Sequence, residues 1–147
     1  MTRPFVDTSA LAKLYVAEPD SDAFEAWFAD AMPVEVSLLT TVELSSVLQK
    51  YGRMGRLSLA LVAELEAAIA NDIDAGCLRV ADVPSSVFYL AKSLIASSGK
   101  VGLRTLDALQ LASALTSGAS LFVTADTVLA EIAVVHGLRV RAFLGKG

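Results

Sequence analysis

The sequence predicts a three-layer α/β/α sandwich on a parallel, five-stranded sheet. Two observations carry this. Five short apolar runs alternate with segments whose apolar residues recur every three or four positions. Proline, glycine or small polar residues sit at most of the changes from one pattern to the other. Strands that alternate with helices need crossover connections, and right-handed crossovers place helices on both faces of a parallel sheet. No repeat, low-complexity segment or linker divides the chain, so residues 1–147 read as one domain.

The elements follow in order. "RPFVD" is a short apolar run that ends in a turn signal. "TSALAKLYVAE" has helical spacing through Leu11, Leu14 and Tyr15, and Pro19 ends it. "SDAFEAWFADAM" repeats the pattern through Phe24, Trp27 and Phe28, and "VEVSLL" reads as the second strand. "TTVELSSVLQKYGRMG" is a helix with Leu44, Val47, Leu48 and Tyr51 on one stripe. Ser58 can cap the next helix, which runs to about Ala75 before Gly76. "CLRVADV" is the third strand; Pro84 to Ser98 is helical and stops at Gly99. "TLDALQLASALTSG" is a further helix, "SLFVTAD" the fourth strand, "TVLAEIAVVHG" a helix and "LRVRAFL" the fifth strand.

Composition narrows the class. Hydrophobic residues make up 54% and charged residues 19% of the chain, which excludes a disordered segment and leaves apolar surface for a partner to cover. The single cysteine, Cys77, allows no internal disulfide and fits a reducing compartment. The opening "MTRPFVDTSA" has no apolar signal-peptide region, and the uncharged stretch 108–125 is too rich in polar residues to span a membrane. A cytoplasmic protein with no membrane partner is expected. Twelve basic residues face sixteen acidic ones, a net charge of -4 with no basic run, so charge alone does not point to nucleic acid.

In an open parallel sheet, ligands bind beyond the carboxyl ends of the strands. Asp7 directly follows the first strand and Asp126 ends the fourth. Asp107 opens a helix in phase with Leu111, so it leans toward the apolar face. Glu43 stands at the border of the stripe formed with Val47. Taken singly, each has an ordinary structural reading: Asp7 and Asp126 as helix N-caps, Asp107 as an acid favoured by the helix dipole, Glu43 as a solvated edge residue. Taken together, four carboxylates gathered without a basic partner repel one another unless a cation joins them. No lysine or arginine stands out as an obvious neutralising partner, although Arg104 lies near Asp107 in sequence. Oxygen donors of this kind suit Mg²⁺ or Mn²⁺.

The stretches "FVDTSALAKLY", "TTVELSSVLQK", "LRTLDALQLASAL" and "LFVTADTVLAEIAVVHGLRV" together resemble the four acidic motifs of PIN-domain ribonucleases, above all the VapC-type toxins of toxin–antitoxin pairs. The resemblance spans residues 5 to about 143. Carried over position by position, it implies that Asp7, Glu43, Asp107 and Asp126 form the catalytic, metal-binding set, with Thr8 and Thr124 supporting them from behind. It implies a strand order of 3-2-1-4-5, Mg²⁺- or Mn²⁺-dependent hydrolysis of RNA phosphodiester bonds, and neutralisation by a cognate VapB-type antitoxin. A homodimer or a toxin–antitoxin hetero-oligomer is the expected assembly.

The charge objection then weakens. Setting the four acids aside leaves twelve acidic against twelve basic residues. Lys50, Arg53, Arg56 and Arg104 are candidate phosphate contacts, although a basic helix end is more often simply solvated. His136 beside Gly137 reads as a helix-end residue, Trp27 as core or interface, and Cys77 as a buried small side chain. Two other functions compete. A phosphatase or phosphotransfer domain would also place an Asp after the first strand, but the haloacid-dehalogenase pattern needs a second Asp where Ser9 stands, and a receiver-type domain needs paired acids. A catalytically silent interaction module of the same fold would have lost acids, and all four are present.

Overall fold

The computed structural model describes residues 3–145. It contains the five strands β1 (Pro4–Val6), β2 (Val34–Ser37), β3 (Leu78–Ala81), β4 (Leu121–Thr124) and β5 (Val140–Ala142). The helices are α1 (Thr8–Tyr15), α2 (Ser21–Ala31), α3 (Leu38–Arg53), α4 (Leu59–Asp74), α5 (Ser85–Ser97), α6 (Thr105–Ser117) and α7 (Thr127–Val135). All strands run parallel in the order β3-β2-β1-β4-β5. The expected sandwich and strand order are therefore observed.

Successive strand residues feed opposite layers, as the period of two requires. Val6 and Val123 face a cluster with Leu11, Phe24, Val36 and Leu48, which belongs to the layer of α1 to α4. Phe5 and Phe122 face a second cluster with Val87, Leu94, Leu111 and Leu129, drawn from α5, α6 and α7. The sheet is thus covered on both faces, which is why its strands read as apolar runs rather than alternating ones.

The element boundaries differ from expectation in three places. Leu38 and Leu39 continue the apolar run of β2, yet they form the first turn of α3. Ser37 ends the strand and its Oγ accepts the Leu39 N–H at 3.1 Å, so a serine cap overrides the strand-like pattern. α1 stops at Tyr15, where Val16 turns extended ahead of Pro19. A short 3₁₀ turn, Gly99–Val101, joins α5 to α6.

The first layer closes on an aromatic group. Phe24 is fully buried and its ring centroid lies 5.2 Å from that of Phe143, edge to face, and 5.6 Å from that of Trp27. Phe143 follows β5, so this cluster ties the end of the chain's last strand to α2. Phe24→Ala should cost about 3–5 kcal/mol of stability through lost burial and the cavity left behind. Urea denaturation checks this; a loss below about 1 kcal/mol would mean the cluster collapses freely around the gap.

Candidate active site

β1 and β4 are neighbours in the sheet although β2 and β3 lie between them in sequence. The chain leaves β1 toward β2 on one side and returns to β4 on the other, so the seam between β1 and β4 is the switch point of the sheet. Val6 pairs with Val123, which sets Asp7 level with Thr124. The Asp7 N–H donates to the Val123 carbonyl at 3.0 Å and continues the ladder by one bond.

Asp7 is 2% exposed. Its Oδ1 accepts the Ala10 N–H at 3.0 Å, which caps α1, and the Ser9 hydroxyl at 2.8 Å. Its Oδ2 accepts the Thr124 hydroxyl at 2.6 Å. Two donors saturate Oδ1, whereas Oδ2 keeps one lone pair free. No lysine or arginine pairs with Asp7 among the described residues. Burial raises its pKa from 3.8 to about 6, against the hydrogen bonds from Thr124, Ala10 and Ser9, which lower it; the Asp107 carboxylate adds a smaller upward push.

Asp126 caps α7, its Oδ1 accepting the Leu129 N–H at 2.9 Å, while its own N–H donates to Thr124 Oγ1 at 3.1 Å. The capping reading of Asp7 and Asp126 is correct, and it does not compete with a role in a site, since a cap uses one oxygen and leaves the other. Asp107 is different. It lies in the first turn of α6, whose start has no side-chain cap, and its carboxylate accepts no hydrogen bond among the described residues. It is half-buried, and burial raises its pKa, followed by repulsion from Asp126 and from Glu43; Arg104 opposes the shift.

Glu43 is half-buried on α3. Its Oε1 accepts the Thr8 hydroxyl at 2.7 Å and the Gln110 amide at 2.8 Å. Asp7, Glu43, Asp107 and Asp126 therefore belong to one electrostatic neighbourhood drawn from β1, α3, α6 and the end of β4. As the side chains stand, no group of three or more His, Cys, Asp or Glu among the described residues is close enough to grip a metal ion. The donor chemistry nevertheless suits a hard cation. Among the described residues no lysine or arginine forms an ion pair with these acids, and Asp107 and one oxygen of Glu43 accept no hydrogen bond.

The expected supporting hydroxyls touch these acids: Thr124 donates to Asp7, and Thr8 donates to Glu43. Of the candidate basic residues, Arg104 acts on Asp107. Lys50 and Arg53 are exposed in the last turn of α3, about 10 and 15 Å along the helix from Glu43. Arg56 is folded over the Tyr51 ring, 4.3 Å from its centroid. His136 is the C-cap of α7, and Trp27 packs with Phe24 and Phe143. Sequence reasoning did not single out Ser9, Thr40 or Gln110. Gln110 falls three residues after Asp107 and Thr40 three before Glu43, a helical spacing that places each on the same side as its acid.

The PIN domain family model matches residues 5–135. The chain belongs to the PIN-domain family. Among PIN-domain relatives, Ribonuclease VapC35 of Mycobacterium tuberculosis is 32% identical over 145 residues, covering 94% of this chain and 95% of that protein. The VapC20 structure from Mycobacterium tuberculosis, described as a sarcin-ricin loop cleaving toxin, has a TM-score of 0.70 at 20% identity, covering 92% of this chain and 95% of that one. A toxin–antitoxin complex from Klebsiella pneumoniae has a TM-score of 0.59 at 19% identity, covering 84% and 87%. These solved structures share the fold, and the expected VapC-type PIN architecture stands. Among the described residues no helix is long and apolar enough to cross a membrane.

The burial of Asp7 makes a pH prediction. Its proton is held more tightly in the folded chain than in the unfolded one, so Asp7's own contribution to metal-free stability is most favourable below pH about 4, falls as pH rises through about 6, and is flat above. That rise corresponds to about 3 kcal/mol at neutral pH. Asp7→Asn keeps the cap and removes the charge, and the Thr124 hydroxyl can turn to accept from the amide. In EDTA the variant should melt above wild type at pH 7.5, and its advantage should shrink toward pH 5. Equal melting temperatures at both values would show that ionised Asp7 is not a burden on the fold.

Proposed function

We propose that this chain is an endoribonuclease of the VapC toxin type, that it hydrolyses RNA phosphodiester bonds with Mg²⁺ or Mn²⁺, and that a cognate VapB-type antitoxin neutralises it. The observation that carries the reading is Asp7: a buried carboxylate at the switch point, with no basic partner among the described residues and with the Asp107 carboxylate, itself repelled by Glu43 and Asp126, acting on it. The name of the relative VapC35, a ribonuclease, supports the reaction class. The toxin–antitoxin complex among the structural neighbours supports the antitoxin. A cytoplasmic location fits an RNA substrate and the lone cysteine.

A divalent cation at this site would offset the charge of the phosphodiester, lower the pKa of its bound water and hold the attacking and leaving oxygens in line. Asp7 and Asp107 are the principal ligands in this reading, Asp7 through the free lone pair of Oδ2. Glu43 and Asp126 complete the set or orient water, and one of them takes the water's proton. Thr124 and Ser9 hold Asp7 in one rotamer, and Thr8 holds Glu43, so the carboxylates meet the substrate already placed. Arg104, at the start of α6, would meet a substrate phosphate beside Asp107, while Lys50 and Arg53 would serve phosphates further along the strand. Exposed bases of a loop or single strand are the accessible targets.

The test uses the purified chain with a structured RNA that carries single-stranded loops. Cleavage should require Mg²⁺ or Mn²⁺, stop in EDTA and release no phosphate from small phosphoesters. Asp107→Asn should fold and lose activity by roughly 100-fold or more. Mn²⁺ at 100 times its dissociation constant should stabilise wild type by about 2.7 kcal/mol, raising the melting temperature by roughly 5–10 °C, and Asp107→Asn should respond less. Metal-independent cleavage, or full activity in Asp107→Asn, would overturn the assignment.

A further inference from the structure

Gln110 is 2% exposed in the middle of α6, between the fully buried Ala108 and Leu111. An amide in such a place must find partners, because an unpaired buried polar group is costly. Its nitrogen lies 2.8 Å from Glu43 Oε1, 2.9 Å from Thr40 Oγ1 and 3.1 Å from Thr8 Oγ1. Thr40 is as deeply buried, and its hydroxyl lies 3.0 Å from that of Thr8. Gln110 Oε1 meets no partner among the described residues.

The directions of these bonds are fixed by the donor inventory. The Glu43 carboxylate oxygen accepts, so the one hydrogen of Thr8 goes to it. Thr40 must then donate to Thr8. The two amide hydrogens of Gln110 go to Glu43 and Thr40. A flipped amide would set its oxygen against the Glu43 oxygen, so the orientation is forced even though it strands Oε1. Every hydrogen in the network therefore runs toward one atom, Glu43 Oε1, and the other carboxylate oxygen has no hydrogen-bond partner among the described residues.

We infer that Gln110, backed by Thr40, is a positioning residue for the acidic centre: it fixes Glu43 through Oε1 and leaves Oε2 as the oxygen that would be available to a cation. A long glutamate side chain on a half-exposed helix edge would otherwise sample several rotamers and give up part of that freedom on each binding event. The stranded Oε1 is the cost that a purely structural residue would not carry, since a leucine or methionine would fill the same space without it. The inference rests on the reading of the four acids as a divalent-cation centre.

The test is Mn²⁺ binding by titration calorimetry, alongside melting in EDTA, for wild type, Gln110→Met, Glu43→Gln and the double variant. Gln110→Met keeps the volume and removes both donors; it should weaken Mn²⁺ binding roughly 10-fold. In the Glu43→Gln background the same change should add nothing, because its effect passes through Glu43. A merely structural role would alter melting in EDTA and leave the Mn²⁺ dissociation constant in place, or weaken it equally in both backgrounds; either result overturns the inference. If Gln110→Met does not fold, Gln110→Asn takes its place, since its shorter amide stays polar but does not reach Glu43. Absence of Mn²⁺ binding by wild type would bring down the cation-centre reading and the inference with it, whereas wild-type binding matched by Gln110→Met would bring down the inference alone.

Discussion

The site is organised around a carboxylate that the fold takes out of water and does not neutralise. Asp7 follows β1 at the seam with β4, and there the helices of both layers begin. Its oxygens meet an amide and two hydroxyls, and no lysine or arginine among the described residues. Hydrogen bonds lower its pKa, yet burial outweighs them. The charged form is thus held in a strained balance that a bound cation would relieve. Asp107 deepens that imbalance instead of correcting it, and is itself repelled by Asp126 and Glu43.

The strand order makes this arrangement possible. β1 lies at the centre of the sheet, so Asp7 is flanked by β2 and β4 and covered by the helices that leave them. α3 leaves β2 through the cap at Ser37 and carries Thr40 and Glu43 within its first two turns. α7 leaves β4 through the cap at Asp126. α6 arrives from the other layer and presents Asp107 and Gln110 one turn apart. Helix starts also favour anions through their exposed N–H groups and dipoles, which softens the repulsion among the acids without removing it. The caps that end the strands and the acids that form the site are therefore partly the same residues.

Much of the fold was legible because its two signals are strong. Apolar runs alternate with helical periods, and Gly99 and Gly118 mark helix ends with left-handed backbones. The misplaced boundary at Leu38 and Leu39 arose because apolar residues fit either period, and the decision lay with one buried serine. The four acids were visible as exceptions to the pattern around them. Gln110 and Thr40 were not, because a single amide or hydroxyl on a helix edge is compatible with a solvated position. Their role depends on contacts across 67 to 102 residues of sequence, which spacing within one helix does not reveal. The same limit applied to the basic residues: Arg56 is stacked on Tyr51, a contact with no sequence signature beyond proximity.

The central claim is that a buried, uncompensated Asp7 and its three acidic neighbours form a cation centre. Crystals grown with Mn²⁺ and measured at its absorption edge test this most directly. The account predicts an anomalous peak in contact with the Asp7 and Asp107 carboxylates, with Asp7 Oδ1 still accepting from Ala10 and Ser9, and Glu43 still tied through Oε1. A map with Mn²⁺ only elsewhere on the protein, or with no Mn²⁺ among the four acids at saturating concentration, would contradict it.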